Sequence, residues 1–507
     1  MNGDDAEVGS SLKLLAKTSV IVLIFVILSK LLAYLYKIII ARGFGPSEYG
    51  LFTLALIVTS IFVSFASLGL SDGLLRHISL YKNKDMKKAK YLLKLTFHIN
   101  LFSGVIAGVL MFLLAETIAI NFFHDPELVI FLKAFSFAVP IAIIGGLFLT
   151  VLRSFEKIAM YTFINSVFQN GIRILVIGTL LFIGLTRSAI ITSYLVAVIA
   201  FAIMAYIASR KEVLKVLKSK NLEKGKKKLR NQYFSYSWPI VFLGIIGGIF
   251  YWVDSFVIGF FMSSADVGFY GIAFTIVSLY GIAPELFMQL FFPLVVREYS
   301  KKRMRVVQEV SKQVSKWIFA LNLPLFVMIF IFPGAIINVL FGEAFIQGYN
   351  SLRILAVGGI VSSIFMILST NLLSMKGKTK LMLMNVLVIS VINLIMNIIL
   401  VPRFGIVGAA FATSSTWVLL SLVLLFEVKS LVSVFPIRRK MLNLVLAVII
   451  PTVIISYLKS YIPSSFISLI TVALLFLLLY IIFAVLFKGL DRNDLMIWRT
   501  IKERFSK

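Results

Sequence analysis

The sequence has no cysteine, which excludes disulfides, thiolate nucleophiles and cysteine metal sites together. Its three histidines, His77, His98 and His124, are too scattered for a metal cluster, so no metal site is expected. Acids are scarce as well: 22 Asp and Glu stand against 50 Lys and Arg, and only 14% of residues are charged. No paired-carboxylate site for a nucleotide sugar is present, because Asp4 and Asp5 fall in an N-terminal tail. What fills the chain is apolar, 60% of residues with a mean hydropathy of +1.00, where soluble domains hold about 45–50%. An all-α polytopic membrane protein is the expected class.

About fourteen apolar spans of about 20 residues can be read in order. Six of them, at 18–41, 49–70, 90–115, 128–152, 160–184 and 188–209, make a first lobe over 18–209. A basic linker follows at 210–235. Six more, at 236–262, 268–294, 316–340, 351–374, 380–401 and 405–427, make a second lobe over 236–427, and spans at 440–459 and 464–487 lie within 428–487. Tails remain at 1–17 and 488–507, and the first does not read as a cleavable signal. No segment between spans is large enough to bury a core of its own.

The lobes read as two copies of one unit. Glu48-Tyr-Gly-Leu-Phe-Thr-Leu-Ala55 aligns with Asp266-Val-Gly-Phe-Tyr-Gly-Ile-Ala273 at an offset of about 218 residues. Phe122-Phe123 falls on Leu340-Phe341, and Asn165 falls near Asn385. The repeat covers an even number of spans, so both copies run the same way. With the termini on the cytoplasmic side, inner segments hold about 41 of the 50 basic residues and outer turns about four. The net charge of +28 is then a membrane-orientation signal and attraction to anionic headgroups, and nucleic acid is not an expected partner.

Charges that interrupt the spans are the candidate functional residues, since a charge near the midplane is costly. Lys30 and Lys37 lie in the first span with Tyr34 between them, and seven residues apart on a helix they are only about 20° out of register. That face does not suit lipid. Arg173 is mid-span in the fifth, while Lys133 and Arg353 sit near outer span ends. Against these stand Asp254 in the seventh span and Glu285, after Pro284, in the eighth. Internal ion pairs are one reading; the other follows from the excess of cations, which suits an anionic ligand such as phosphate. Arg76, at the inner end of the second span, is an interface anchor or receives a charged headgroup. Asn385, Asn393 and Asn397 either tie helices together or line a cavity suited to sugar hydroxyls.

The Gly45-Pro-Ser-Glu-Tyr-Gly50 turn, Gly69-Leu-Ser-Asp-Gly73 with Arg76 behind it, and Asp254 ahead of Asp266-Val-Gly-Phe-Tyr together resemble the polysaccharide-unit flippases. These are the O-antigen type exporters of the multidrug, oligosaccharidyl-lipid and polysaccharide exporter superfamily, and the resemblance covers about residues 10–490. It implies two six-helix lobes around a cavity open alternately to either side. The implied substrate is a polyprenyl-phosphate or -pyrophosphate oligosaccharide moved from the inner to the outer leaflet of the cell membrane. Related flippases place cations on the first helix, which Lys30 and Lys37 match by helix. Substrate contact is therefore expected at Lys30, Tyr34, Lys37, Arg76, Arg173, Arg353, Asn385 and Asn393, with Asp254 and Glu285 coupling transport to H⁺ or Na⁺. Membrane lipid is an expected partner, as are polysaccharide polymerase or glycosyltransferase proteins; no cofactor and no catalysis are expected. The alternative is a cation-coupled multidrug exporter, in which the two buried acids rather than the lysines would be essential.

Overall fold

The computed structural model describes residues 3–184, 187–459 and 465–489, and among these there are helices and no strand. The chain divides into two compact units, Met1–Gly271 and Ile272–Lys507. The first holds α1 (Gly3–Ala66), α2 (Leu70–Tyr81), α3 (Met86–Glu116), α4 (Leu128–Ser136), α5 (Ala138–Ser154), α6 (Ile158–Thr162), α7 (Gln169–Phe182), α8 (Arg187–Leu217) and α9 (Lys226–Phe261), and ends within α10 (Ser264–Val277). The second continues with α11 (Ile282–Ser300), α12 (Met304–Ile331), α13 (Pro333–Phe341), α14 (Tyr349–Met375), α15 (Thr379–Glu427), α16 (Lys440–Leu458) and α17 (Phe466–Leu486).

Ten helices among the described residues are long and apolar enough to cross a membrane, or eleven when α4 and α5, bent by 43°, count as one span. The chain is thus an all-helical, multi-pass membrane protein. The count is lower than the fourteen expected in part because α1 and α15 are each two helices joined at a kink, where the sequence marks a break. In α1 the backbone turns at Gly45, φ +81°, just before Pro46, so the first and second expected spans are two helices joined at this kink. Glycine reaches this left-handed region without the steric cost a Cβ would bring. In α15 Gly405, φ +59°, does the same three residues after Pro402. The seventh expected span lies within the single helix α9, of which Phe250–Phe261 is the apolar stretch found among the described residues. From Leu490 onward the expected C-terminal tail lies outside the described residues.

The segment after the second span is not a loop. Leu70, Leu74 and Ile78 recur at helical spacing on α2 and are buried against Leu92 of α3, Leu147 of α5 and Tyr233 of α9. Tyr233 closes this core with polar contacts: its hydroxyl donates to the Leu70 carbonyl at 2.7 Å and lies 2.6 Å from the Thr96 hydroxyl. Beneath it His77 is held at 2.8 Å from the Gly73 carbonyl, and burial pushes its pKa below the ordinary imidazole value. At the far ends of the first unit, Lys133 pairs with Glu116 at 2.5 Å, and Arg187 pairs with Glu48 at 2.7 Å and with Glu127.

The second unit is tied by amides inside apolar helices. Asn322 donates to the Tyr280 carbonyl at 3.0 Å and the Ser363 hydroxyl at 2.9 Å, joining α12 to the turn before α11 and to α14. α17 shows the opposite character, with Ile467, Leu474 and Leu486 all exposed, as a lipid-facing helix must be.

Candidate functional site

Between Ile24 and Gly45 α1 runs without a break, so Lys30, Tyr34 and Lys37 keep one face, and all three are half-buried. On the adjoining face Tyr36 is buried to 3% exposure. Its hydroxyl lies 3.0 Å from Ser193 of α8, and its ring meets Phe52 edge-on at 5.9 Å. Against this ring sits Arg173 of α7.

The segment leading to Arg173 is helical but not uniformly so. Phe163–Phe168 forms a π-type stretch between α6 and α7, and each residue added to a turn rotates the following face by about 100°. Arg173 then places its guanidinium 5.8 Å from the Tyr36 ring centroid and 5.3 Å from that of Tyr194. Stacking of a planar cation on two aromatic faces stabilises it where water is sparse. Its Nε is buried and makes no hydrogen bond among the described residues. The result is a fixed cation with an unused donor beside the helix that carries Lys30 and Lys37.

Asp254, on α9 in the same unit, is 3% exposed and accepts a 2.6 Å hydrogen bond from the Tyr270 hydroxyl. Glu285 is half-buried in the first turn of α11, where a 3₁₀ turn at Ser278–Gly281 and Pro284 interrupt the eighth span. The two candidate coupling acids thus differ in setting, one enclosed and hydrogen-bonded, the other at a helix start.

The remaining candidates are engaged elsewhere. Arg76 is exposed and stacks 4.1 Å from the Tyr236 ring. Asn385 donates to both carboxylate oxygens of Glu427 at 2.8 Å. Asn393, 2% exposed, donates to Thr413 at 3.3 Å and Thr416 at 3.1 Å, and Asn397 reaches the Asn393 carbonyl oxygens. The contacts of Asn385 and Asn393 join the two halves of α15 across its kink. Interhelical amide bonds in membranes contribute roughly 0.6 kcal/mol and up to about 1.7. Asn393→Leu is accordingly expected to cost about 1 kcal/mol, read as a lowered thermal midpoint of the purified protein.

Sequence reasoning singled out Arg173 but missed its cradle of Tyr36, Ser193 and Tyr194. The available signal was a tyrosine beside a lysine within an apolar span, which marks a second polar face on the same helix. It also missed a contact between the two repeated motifs. A Cβ on Gly50 would stand 1.7 Å from the Ser264 carbonyl oxygen, and one on Gly268 would stand 2.3 Å from the Pro46 carbonyl oxygen. Ser264 meanwhile donates to Asp125 at 2.7 Å and lies 3.3 Å from Ser47. The glycine of each motif therefore admits the backbone of the other segment.

A helical multi-pass membrane protein with cations fixed inside its spans is the class these features define. The chain belongs to the polysaccharide biosynthesis protein family, which matches residues 39–350. Among its relatives, the candidate O-antigen transporter of Shigella flexneri is 22% identical over 404 residues, 78% of this chain and 93% of that protein. A candidate low-salt glycan biosynthesis flippase of Haloferax volcanii is 32% identical over 197 residues, covering 39% of this chain and 41% of that protein. In fold, the chain is similar to the lipid II flippase MurJ in an inward closed conformation, with a TM-score of 0.73 at 19% identity over 94% of this chain and 100% of that one. The resemblance read from the sequence motifs is borne out.

Proposed function

We propose that this protein is a flippase that moves a polyprenyl-phosphate- or pyrophosphate-linked oligosaccharide from the inner to the outer leaflet of the cell membrane, for assembly of a surface polysaccharide or glycoconjugate. The observation that carries the reading is the cationic face of Lys30 and Lys37 on α1, with Arg173 held on Tyr36 beside it. Membership of the polysaccharide biosynthesis family and relatives named for O-antigen transport and glycan flipping support the same substrate class.

In this reading the headgroup enters sideways from the lipid, its phosphates meet the lysines and Arg173, and its polyprenyl tail stays in the bilayer. Tyr34 lies between the lysines and offers a ring face to the first sugar. No bond is made or broken, so the protein is a transporter and not an enzyme. Alternating exposure of the site moves the headgroup across, with both termini cytoplasmic. Asp254 and Glu285 are the groups that would exchange H⁺ or Na⁺ with the cycle, and polymerase or glycosyltransferase proteins would receive the product.

The test is reconstitution in proteoliposomes with a polyprenyl-pyrophosphate oligosaccharide, following its exposure on each leaflet. Accelerated leaflet exchange without hydrolysis or sugar transfer is expected. Failure to move this lipid together with export of a cationic dye would replace the reading with multidrug export centred on Asp254 and Glu285.

A further inference from the structure

The second unit carries a pair of cations, Arg353, expected from the sequence at the substrate site, and Lys459, to which the flipping reading above gives no step. α12 ends at Ile331 and Pro333 starts α13, so the last carbonyls of α12 lack helical partners. Two side chains from distant elements take them. Arg353 of α14 donates through Nε to the Phe330 carbonyl at 3.1 Å, and Lys459, just beyond α16, donates through Nζ to the Ile331 carbonyl at 2.8 Å. Cations at a helix C-terminus are favourable on their own account.

Capping, however, consumes only one donor from each. A guanidinium has five N–H groups and an ammonium three, and neither residue has an acidic partner among the described residues. Two like charges held at one helix end repel, and an anion shared between them offsets that repulsion. Both line one cavity of about 380 Å³, whose wall is completed by Tyr349 and by Leu469 and Val472 of α17. That volume falls in the range of ligand sites, about 300–1,000 Å³.

We propose that this cavity binds the phosphate of an anionic membrane lipid, with Arg353 and Lys459 sharing the phosphate oxygens and the upper acyl chain lying on Leu469 and Val472. The two cations supply bidentate and point-charge donors suited to a phosphodiester. The apolar wall formed by α17 distinguishes a lipid from a free anion, since inorganic phosphate gains nothing from Leu469. The proposal does not depend on the flipping reading, because the transported headgroup is assigned to α1 and α7.

The full-length protein, purified with lipid and examined by native mass spectrometry in equal phosphatidylglycerol and phosphatidylcholine, tests it. Wild type is expected to retain phosphatidylglycerol preferentially, and Arg353→Gln with Lys459→Gln to weaken that retention at least tenfold. The charge-keeping pair Arg353→Lys with Lys459→Arg should retain it. Leu469→Trp, which fills the cavity without touching a charge, should also expel the lipid and serves if the glutamine pair misfolds. Equal retention of both lipids by wild type, or displacement of phosphatidylglycerol by inorganic phosphate while Leu469→Trp has no effect, would overturn the lipid site.

Discussion

Replacing Lys30 and Lys37 together by glutamine is expected to slow translocation of a polyprenyl-pyrophosphate oligosaccharide by about a hundredfold or more. A hydrogen bond to a charged group contributes roughly 1.5–3 kcal/mol, so two lost ammonium contacts amount to about 3–6. At about 1.4 kcal/mol per factor of ten, that is two to four orders of magnitude. Glutamine retains a polar tip of similar reach, so the change isolates charge from size. Each single variant should fall between wild type and the pair.

Stability is measured beside transport for the same variant. A thermal midpoint at or above wild type, with transport gone, separates loss of a binding site from loss of fold. Arg173→Lys is the finer probe: it keeps the charge but forfeits planar stacking on Tyr36 and Tyr194, worth about 0.5–2 kcal/mol. Transport by the double lysine variant within threefold of wild type would remove the cationic face from the account.

Why the lysine face was legible and much else was not follows from range. Lys30, Tyr34 and Lys37 are related by the period of one unbroken helix, which sequence spacing reports directly. The helical class and the multi-pass organisation follow from composition in the same way. The breaks between spans were legible too at Gly45-Pro46 and at Pro402 with Gly405, where a kink parts two helices. α2 was hidden by its charged neighbours: Asp72 and Arg76 lie on its exposed side while Leu74 and Ile78 are buried. Long-range partners left no local trace. Asn385 is visible as an amide in an apolar run, but Glu427, which holds it, is 42 residues away. The Gly50 and Gly268 motifs were visible as copies of one another; that each copy packs on the other is a property of the fold.

Gly50→Ala is the second substitution with a large expected effect, because its new Cβ would fall 1.7 Å from a backbone oxygen and not from a side chain that can swing aside. Either α1 beyond its kink or the start of α10 must move. Overpacking of this kind costs about 1–3 kcal/mol, and if closure of this seam alternates with an opened form, 3 kcal/mol shifts the balance about a hundredfold. Gly268→Ala should act in the same direction through Pro46, and the two together should add little, since they open one seam. The absence of cysteine makes the measurement direct: Ser264→Cys supplies a single thiol at the seam, which is buried in the closed arrangement. Its labelling by a membrane-impermeant maleimide should be slow alone and at least tenfold faster with Gly50→Ala, while translocation falls because the closed form is no longer reached. Gly146→Ala, where a Cβ meets nothing within 4 Å, should change neither rate. Unchanged labelling and unchanged transport in Gly50→Ala would mean that the seam yields without consequence for the cycle.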